Sequence, residues 1–313
     1  MNKGNPNSNQ RQQSERLRQV GLEQALKIAI ASGKGGTGKT TVATNLAHVA
    51  SRNGQSVVYL DCDVEEPNGH IFLKPEITHR EPVGMLIPRV DEEKCTLCGN
   101  CGEICQYSAI VCVGQKVLVY PELCHACGGC RLVCPEDAIA EVPREMGFLE
   151  TGQAGAIQFV QGLLNVGEAM SPPVIKAVKA AAPEADLAIT DAPPGTSCPV
   201  IESIRDSDFV VLVTEPTPFG LNDLKLAVEM VRALKLPCGV VINRAGIGDR
   251  GVHSYCQKAR IKMLAEIPDD RQIAEAYSRG ELICDALPDY AASFAELLQN
   301  VCERTVLKSE PRP

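Results

Sequence analysis

The run Gly33-Lys34-Gly35-Gly36-Thr37-Gly38-Lys39-Thr40-Thr41 constrains the fold of this chain more than any other stretch. It follows an apolar run, Ile28-Ala29-Ile30-Ala31, and precedes Val42-Ala43-Thr44-Asn45-Leu46-Ala47, where apolar residues recur at helical spacing. Strand, glycine-rich turn and helix in that order are the context in which G-x-x-x-x-G-K-S/T is a phosphate-binding P-loop. Glycines let backbone N–H groups converge on phosphate oxygens, and the helix beginning there adds unpaired N–H groups and a positive dipole end. Lys39 is placed to reach the β- and γ-phosphates, and the Thr40 hydroxyl to ligate Mg²⁺. The expected fold is α/β: a doubly wound parallel sheet of about six or more strands with helices on both faces.

At 313 residues the chain has room for about two domains. Its net charge of −8 weighs against broad non-specific binding to nucleic acid or an anionic membrane. No apolar run reaches the ~18 residues of a membrane span and no signal peptide opens the chain. A cytoplasmic protein with no stable membrane anchor is expected. Residues 1–22, rich in Asn, Gln, Ser and Arg, read as a disordered tail. Fifteen cysteines in a long chain with a P-loop and no leader point to metal binding and not to a disulfide framework.

Eight of those cysteines stand in two runs, Cys95, Cys98, Cys101, Cys105 and Cys124, Cys127, Cys130, Cys134, each spaced C-x₂-C-x₂-C-x₃-C. The halves align at a shift of 29: Val90 on Val119, Glu93 on Glu122, Gly99 on Gly128, Ala109-Ile110 on Ala138-Ile139. Three thiolates on one tight loop hold three corners of a cubane, and a fourth arrives from a distance. The repeat resembles bacterial two-cluster ferredoxins, in which the fourth cysteine of each run serves the other cluster. That resemblance assigns one [4Fe–4S] cluster to Cys95, Cys98, Cys101 and Cys134, and a second to Cys105, Cys124, Cys127 and Cys130. Pro135 follows Cys134 as the pattern expects, whereas Gln106 follows Cys105. A pair of zinc knuckles is the alternative. Cys62 reads as strand interior with a ligating or sensing role as the alternative, and Cys198, Cys238 and Cys284 as core.

The remaining motifs lie at ends of apolar strands, where open α/β sheets bind ligands. Val57-Val58-Tyr59-Leu60 runs into Asp61-Cys62-Asp63 and then Pro67-Asn68; Leu187-Ala188-Ile189-Thr190 runs into Asp191-Ala192-Pro193-Pro194-Gly195. Phe209-Val210-Val211-Leu212-Val213 ends in Thr214-Glu215-Pro216-Thr217, and Gly239-Val240-Val241-Ile242 in Asn243-Arg244. Lys262-Met263-Leu264-Ala265 leads to Ile267-Pro268-Asp269-Asp270. Residues 144–170 are Gly-rich, with a short strand placed at 156–160.

With Lys34 directly after the first glycine, these motifs resemble the MinD/ParA/Mrp superfamily of P-loop ATPases with a deviant Walker A. The resemblance implies that Lys34 reaches a partner's nucleotide across an ATP-dependent homodimer, or a heterodimer with a similar ATPase. It gives Asp63 the attacking water, Asp61 and Asp191 (with Thr40) the Mg²⁺ site, and Asn243, Arg244, Pro268 and Asp270 the adenine. Asn243 read from its residues alone is equally a turn former. The domain order becomes 23–88 and 144–313 for the ATPase, interrupted by an inserted ferredoxin-like α+β domain over 89–143. Mrp-type carriers bind a bridging cluster through a late C-x-x-C, and this chain has none after Cys134.

Three functions are open at this stage. The leading one is an ATPase whose nucleotide cycle gates electron transfer through two clusters to a redox partner. The alternatives are an iron–sulfur or metallocluster assembly factor with an accepting protein, and a nucleotide-switched adaptor with structural or sensory clusters. If both quartets are ligand sets, anaerobically prepared protein will contain about eight iron atoms per chain. Two zinc atoms and no brown colour would contradict that expectation.

Overall fold

The computed structural model describes residues 26–309; the tail expected over 1–22 lies outside the described residues. The strands are β1 (Leu26–Ala31), β2 (Val57–Asp61), β3 (Glu76–Val90), β4 (Ile110–Val113), β5 (Lys116–Val119), β6 (Ile139–Ala154), β7 (Ile157–Leu164), β8 (Leu187–Asp191), β9 (Phe209–Thr214), β10 (Cys238–Ala245) and β11 (Lys262–Pro268). The α-helices are α1 (Lys39–Arg52), α2 (Gly69–Leu73), α3 (Asn100–Ile104), α4 (Gly129–Leu132), α5 (Pro172–Ala180) and α6 (Cys198–Ile204). They continue as α7 (Pro218–Ala233), α8 (Gly251–Ala259), α9 (Arg271–Ser278), α10 (Ile283–Ala286) and α11 (Asp289–Ser309).

Strands β2, β8 and β9 are apolar almost throughout because they are buried on both faces. Alternate residues divide between the two faces. Ile28, Ile30, Tyr59, Ile189 and Val211 pack with Leu46 of α1 and with Phe294 and Leu297 of α11. Ala29, Ala31, Val210 and Leu212 pack with α6 and α7 through Val200, Val228 and Val231. Val58 and Leu60 meet Val174 and Val178 of α5. The result is a helix–sheet–helix sandwich with strand order β11-β10-β9-β1-β8-β2-β7-β6-β3.

The sheet is not wholly parallel. β7 runs parallel to β2, but β6 is antiparallel to β7 and β3 is antiparallel to β6. Residues 144–164 are therefore part of a long hairpin turning at Gly155 (φ 60°), and not a short isolated strand. Their alternation is faint because β6 packs on the core over only part of its length. The outer strand β3 carries Pro82, Pro88 and exposed charges, which discourage pairing with another chain.

β3 runs in the same direction as the parallel strands and outlasts them. Arg80 is level with Glu150, Gln161 and Asp61 across the sheet. Opposite Gly84 to Val90, β6 has left β7 and pairs with β3 alone, forming a two-stranded ribbon beyond the carboxyl edge. Ten residues from Arg80 to Val90 correspond to ~33 Å of strand.

The cysteine-rich segment sits at the end of that ribbon, and its repeat is visible in the backbone. Positive φ angles recur at Leu97 and Ala126, Gly99 and Gly128, Ser108 and Asp137. The halves are stitched by reciprocal bonds, the Asp91 N–H to the Ala138 carbonyl (2.8 Å) and the Tyr120 N–H to the Ala109 carbonyl (2.7 Å). Ile110 and Ile139 bury together with Cys101 as a small separate core.

Ile189 is fully buried at the centre of the sheet. Ile189→Ala should lower stability by roughly 2–5 kcal/mol, read as a shifted denaturant midpoint of the far-ultraviolet signal. No shift would contradict the packing described.

Candidate functional site

The P-loop, Asp61, Asp191, Glu215, Asn243 and Pro268 all follow or end strands at one edge of the sheet. β8 lies between β1 and β2, which sets Asp61 directly beside Asp191 in register. Both carboxylates are buried, at 0% and 1% exposure. Asp61 Oδ2 accepts the Gly69 N–H (2.9 Å) and its Oδ1 the Asp63 N–H (3.2 Å). Asp191 Oδ2 accepts the Tyr59 hydroxyl (3.0 Å). Asp191 Oδ1 is buried and without a hydrogen-bond partner among the described residues.

Burial raises the Asp61 carboxyl well above the usual range, and the neighbouring Asp191 charge raises it further. Burial raises Asp191 too, opposed by the Lys39 charge. Asp63 is raised to about 6, first by burial, with Lys39 opposing and Asp191 adding. Two buried carboxylates side by side, one with an orphaned oxygen, fit a divalent cation. No three His, Cys, Asp or Glu side chains among the described residues converge on a single ion. Mg²⁺, which keeps several waters and takes one or two carboxylates beside phosphate oxygens, suits such a donor set. When bound, it supplies the charge that offsets the phosphates.

Lys39, the first residue of α1, is 6% exposed, close enough for its charge to act on Asp63 and Asp191. Gly38 stands just before it at φ 92°, and a Cβ there would strike the Asn243 amide. Asn243 Nδ2 donates to the Thr37 carbonyl (2.9 Å), so in this structure the amide braces the P-loop. Lys34 turns to its own chain, its ammonium 3.0 Å from Glu215 Oε2. Arg244, at φ 53°, holds the other Glu215 oxygen at 3.0 Å. Asp270 caps α9, accepting the Gln272 N–H (2.8 Å) and the Tyr290 hydroxyl (2.8 Å). The Gly195 N–H donates to the Ser32 carbonyl (2.9 Å). Sequence reasoning missed Glu215 and Tyr59; the one available signal was their place on strands that lead to the ligand edge.

At the ribbon's far end, a small cleft is lined by Cys95, Cys98, Cys101 and Cys134, with Val90, Val117 and Ile139. It gathers three thiols of the first run with the last thiol of the second. Backbone N–H groups point at sulfur in matching places: Ala109 to Cys105 and Ala138 to Cys134, both at 3.3 Å. Burial, the Cys112 hydrogen bond and the Cys112 charge push Cys101 up to about 12. Cys124, Cys127 and Cys130 stand near one another; burial raises Cys130, as do the other two charges. Burial raises Cys105 as well, but the N–H groups of Tyr107, Ile110, Ala109 and Ser108 outweigh it and lower the thiol. The helix before Cys105 packs on α4, with Ile104 against Gly129. An apolar cleft ringed by thiols fits a polynuclear cluster, in which each thiolate takes a different corner iron.

Cys112 also lines that cleft and was not anticipated. Cys62 is fully buried and its thiol raised by burial and by Asp61, as strand interior requires. Cys284 is core, whereas Cys198 at the start of α6 is exposed and Cys238 half-buried.

The model of the CobQ/CobB/MinD/ParA nucleotide binding domain matches residues 28–283. The chain belongs to this family. It is similar to the uncharacterised protein MJ0578 of Methanocaldococcus jannaschii, 32% identical over 89% of this chain and 97% of that protein. An iron–sulfur cluster carrier protein of the same organism is 26% identical over 96% of this chain and 91% of that one. The fold is shared with the septum site-determining protein MinD of Pyrococcus horikoshii, solved with Mg-ADP. That structure gives a TM-score of 0.56 at 21% identity, covering 92% of this chain and 100% of MinD. No helix among the described residues of this MinD/ParA relative is long and apolar enough to cross a membrane.

Lys39→Ala should weaken ATP binding roughly a hundredfold, because a buried charge-assisted contact is lost. Asp63→Ala should bind ATP within about threefold of the parent yet hydrolyse it roughly a hundredfold more slowly. Comparable loss of affinity in both variants, by calorimetry, would contradict the role given to Asp63.

Proposed function

We propose that the protein is an ATPase whose nucleotide cycle governs iron–sulfur clusters carried on the inserted segment, and that it delivers a cluster to an accepting protein. The observation that carries this reading is one chain holding a P-loop site with paired buried carboxylates and, across a ribbon, a cleft walled by Cys95, Cys98, Cys101 and Cys134. The relatives named iron–sulfur cluster carrier proteins support delivery over electron transfer. Without a late C-x-x-C, the cargo would sit on the insert's two quartets. Lys39, Thr40, Asp61 and Asp191 would hold Mg²⁺ and ATP, and Asp63 would orient the attacking water.

Gated electron transfer is retained as a second reading because each fourth cysteine, Cys105 and Cys134, is backed by an N–H at 3.3 Å, a device that holds a cluster in place. The two readings separate in one experiment. Loaded protein with ATP and Mg²⁺ is mixed anaerobically with an apo-ferredoxin acceptor, and iron is counted on each protein after separation. Iron moving to the acceptor in an ATP-dependent manner supports delivery. Iron retained, with reduced clusters reoxidised by an acceptor faster under ATP, would replace delivery by electron transfer.

Dimerisation belongs to the same reading, in homodimeric or heterodimeric form. Lys34 is bonded to Glu215 of its own chain, and its reach across to a partner's nucleotide requires leaving Glu215. In the Asp63→Ala background, ATP and Mg²⁺ should double the mass seen by light scattering; adding Lys34→Ala should abolish that doubling. A doubled mass that survives Lys34→Ala would remove the lysine from the interface.

A further inference from the structure

Four thiols complete a [4Fe–4S] site, and the first cleft contains five. Cys112 lines the same cleft as Cys95, Cys98, Cys101 and Cys134. Its sulfur lies 3.9 Å from that of Cys101. It is held there by the β4–β5 hairpin, where it pairs with Val117, itself part of the cleft wall. Ile110, two residues before it, is anchored in the small core with Cys101 and Ile139.

The second half of the repeat has no counterpart. The shift of 29 that carries Cys95 onto Cys124 carries Cys112 onto Glu141. Glu141 is engaged by Arg131 at 3.1 Å. The fifth thiol is thus confined to one half of the repeat.

We propose that Cys112 is an exchange ligand for the first cluster, taking over the iron held by Cys101. The proposal rests on reading the cleft as a cluster site. The exchange is balanced without a co-reactant: the bond from iron to the Cys101 sulfur breaks, a bond from the same iron to the Cys112 sulfur forms, and the Cys112 thiol proton passes to Cys101. Iron keeps its oxidation state throughout. An iron with two alternative protein ligands is the corner at which a cluster opens. The first cluster is therefore the releasable one, and the second, where Glu141 stands in place of the thiol, is the fixed one.

The test uses the full chain, reconstituted anaerobically with iron(II) and sulfide, with ATP binding as the check that each variant is folded. The parent and Cys112→Ala should each carry about eight iron atoms, and Cys98→Ala, with no reserve thiol, about four. Cys101→Ala should keep about eight, with an altered electron paramagnetic resonance spectrum when reduced, and Cys101→Ala/Cys112→Ala should fall to about four. A Cys101→Ala protein with only four, or a double variant with eight, overturns the proposal. In the loaded Cys112→Ala protein, loss of the first cluster to an iron chelator should slow roughly tenfold. An unchanged rate overturns the exchange role. A parent that never takes up eight iron atoms instead contradicts the underlying reading of the cleft.

Discussion

The pairing of Asp61 with Asp191 is the constraint on which the nucleotide end of this molecule depends. Placing β8 between β1 and β2 sets two carboxylates side by side in a fully buried strip. Burial raises both groups, and the Asp191 charge raises Asp61 further, so each is less stable as an anion in the folded chain than in the unfolded one. Stability therefore falls as pH rises above the ordinary carboxylate range, because the unfolded state gives up those protons first. Lys39 offsets part of this cost at Asp191, and a cation at the unpartnered Asp191 oxygen would offset more of it.

The same pair is connected through hydrogen bonds and a short stretch of chain to the cysteine-rich segment. Asp61 holds the N–H of Gly69, the first residue of α2. The Tyr59 ring lies against Gly69, where a Cβ has no room, and its hydroxyl reaches Asp191. α2 leads within a few residues into β3, and β3 runs unbroken to Val90 at the threshold of the first cysteine run. The carboxylates are thus a short stretch of chain from the ribbon, whose pairing shifts register between Val83 and Gly84 where it begins. The ribbon leaves from the carboxyl edge of the sheet, the edge at which the P-loop lies.

Much of this was legible in the sequence because the signals were local. The P-loop is a contiguous run whose glycines, lysine and threonine specify their own turn. The cysteine spacing and the shift of 29 reappear as paired positive φ angles at Leu97 and Ala126 or Ser108 and Asp137. Strands buried on both faces, such as Phe209 to Val213, announce themselves as unbroken apolar runs.

What the sequence by itself determined is the inventory: a nucleotide site, two thiol quartets and the strands that carry them. Only the tertiary structure decided how the inventory is spent. The hairpin of β6 and β7 escaped notice because β6 is buried over only part of its length, which blurs the period of two, although the strand placed at 156–160 falls on β7. Glu215 is an unremarkable residue after a strand until folding brings it against Lys34 and Arg244 from distant segments. Asn243 and Asp270, which the resemblance gives to the adenine, also bond to protein, Asn243 to the Thr37 carbonyl and Asp270 to the Gln272 N–H, partners that only the fold brings within reach. Cys112 is a lone cysteine in the sequence and a fifth thiol in the fold, because only the β4–β5 hairpin brings its sulfur to within 3.9 Å of Cys101.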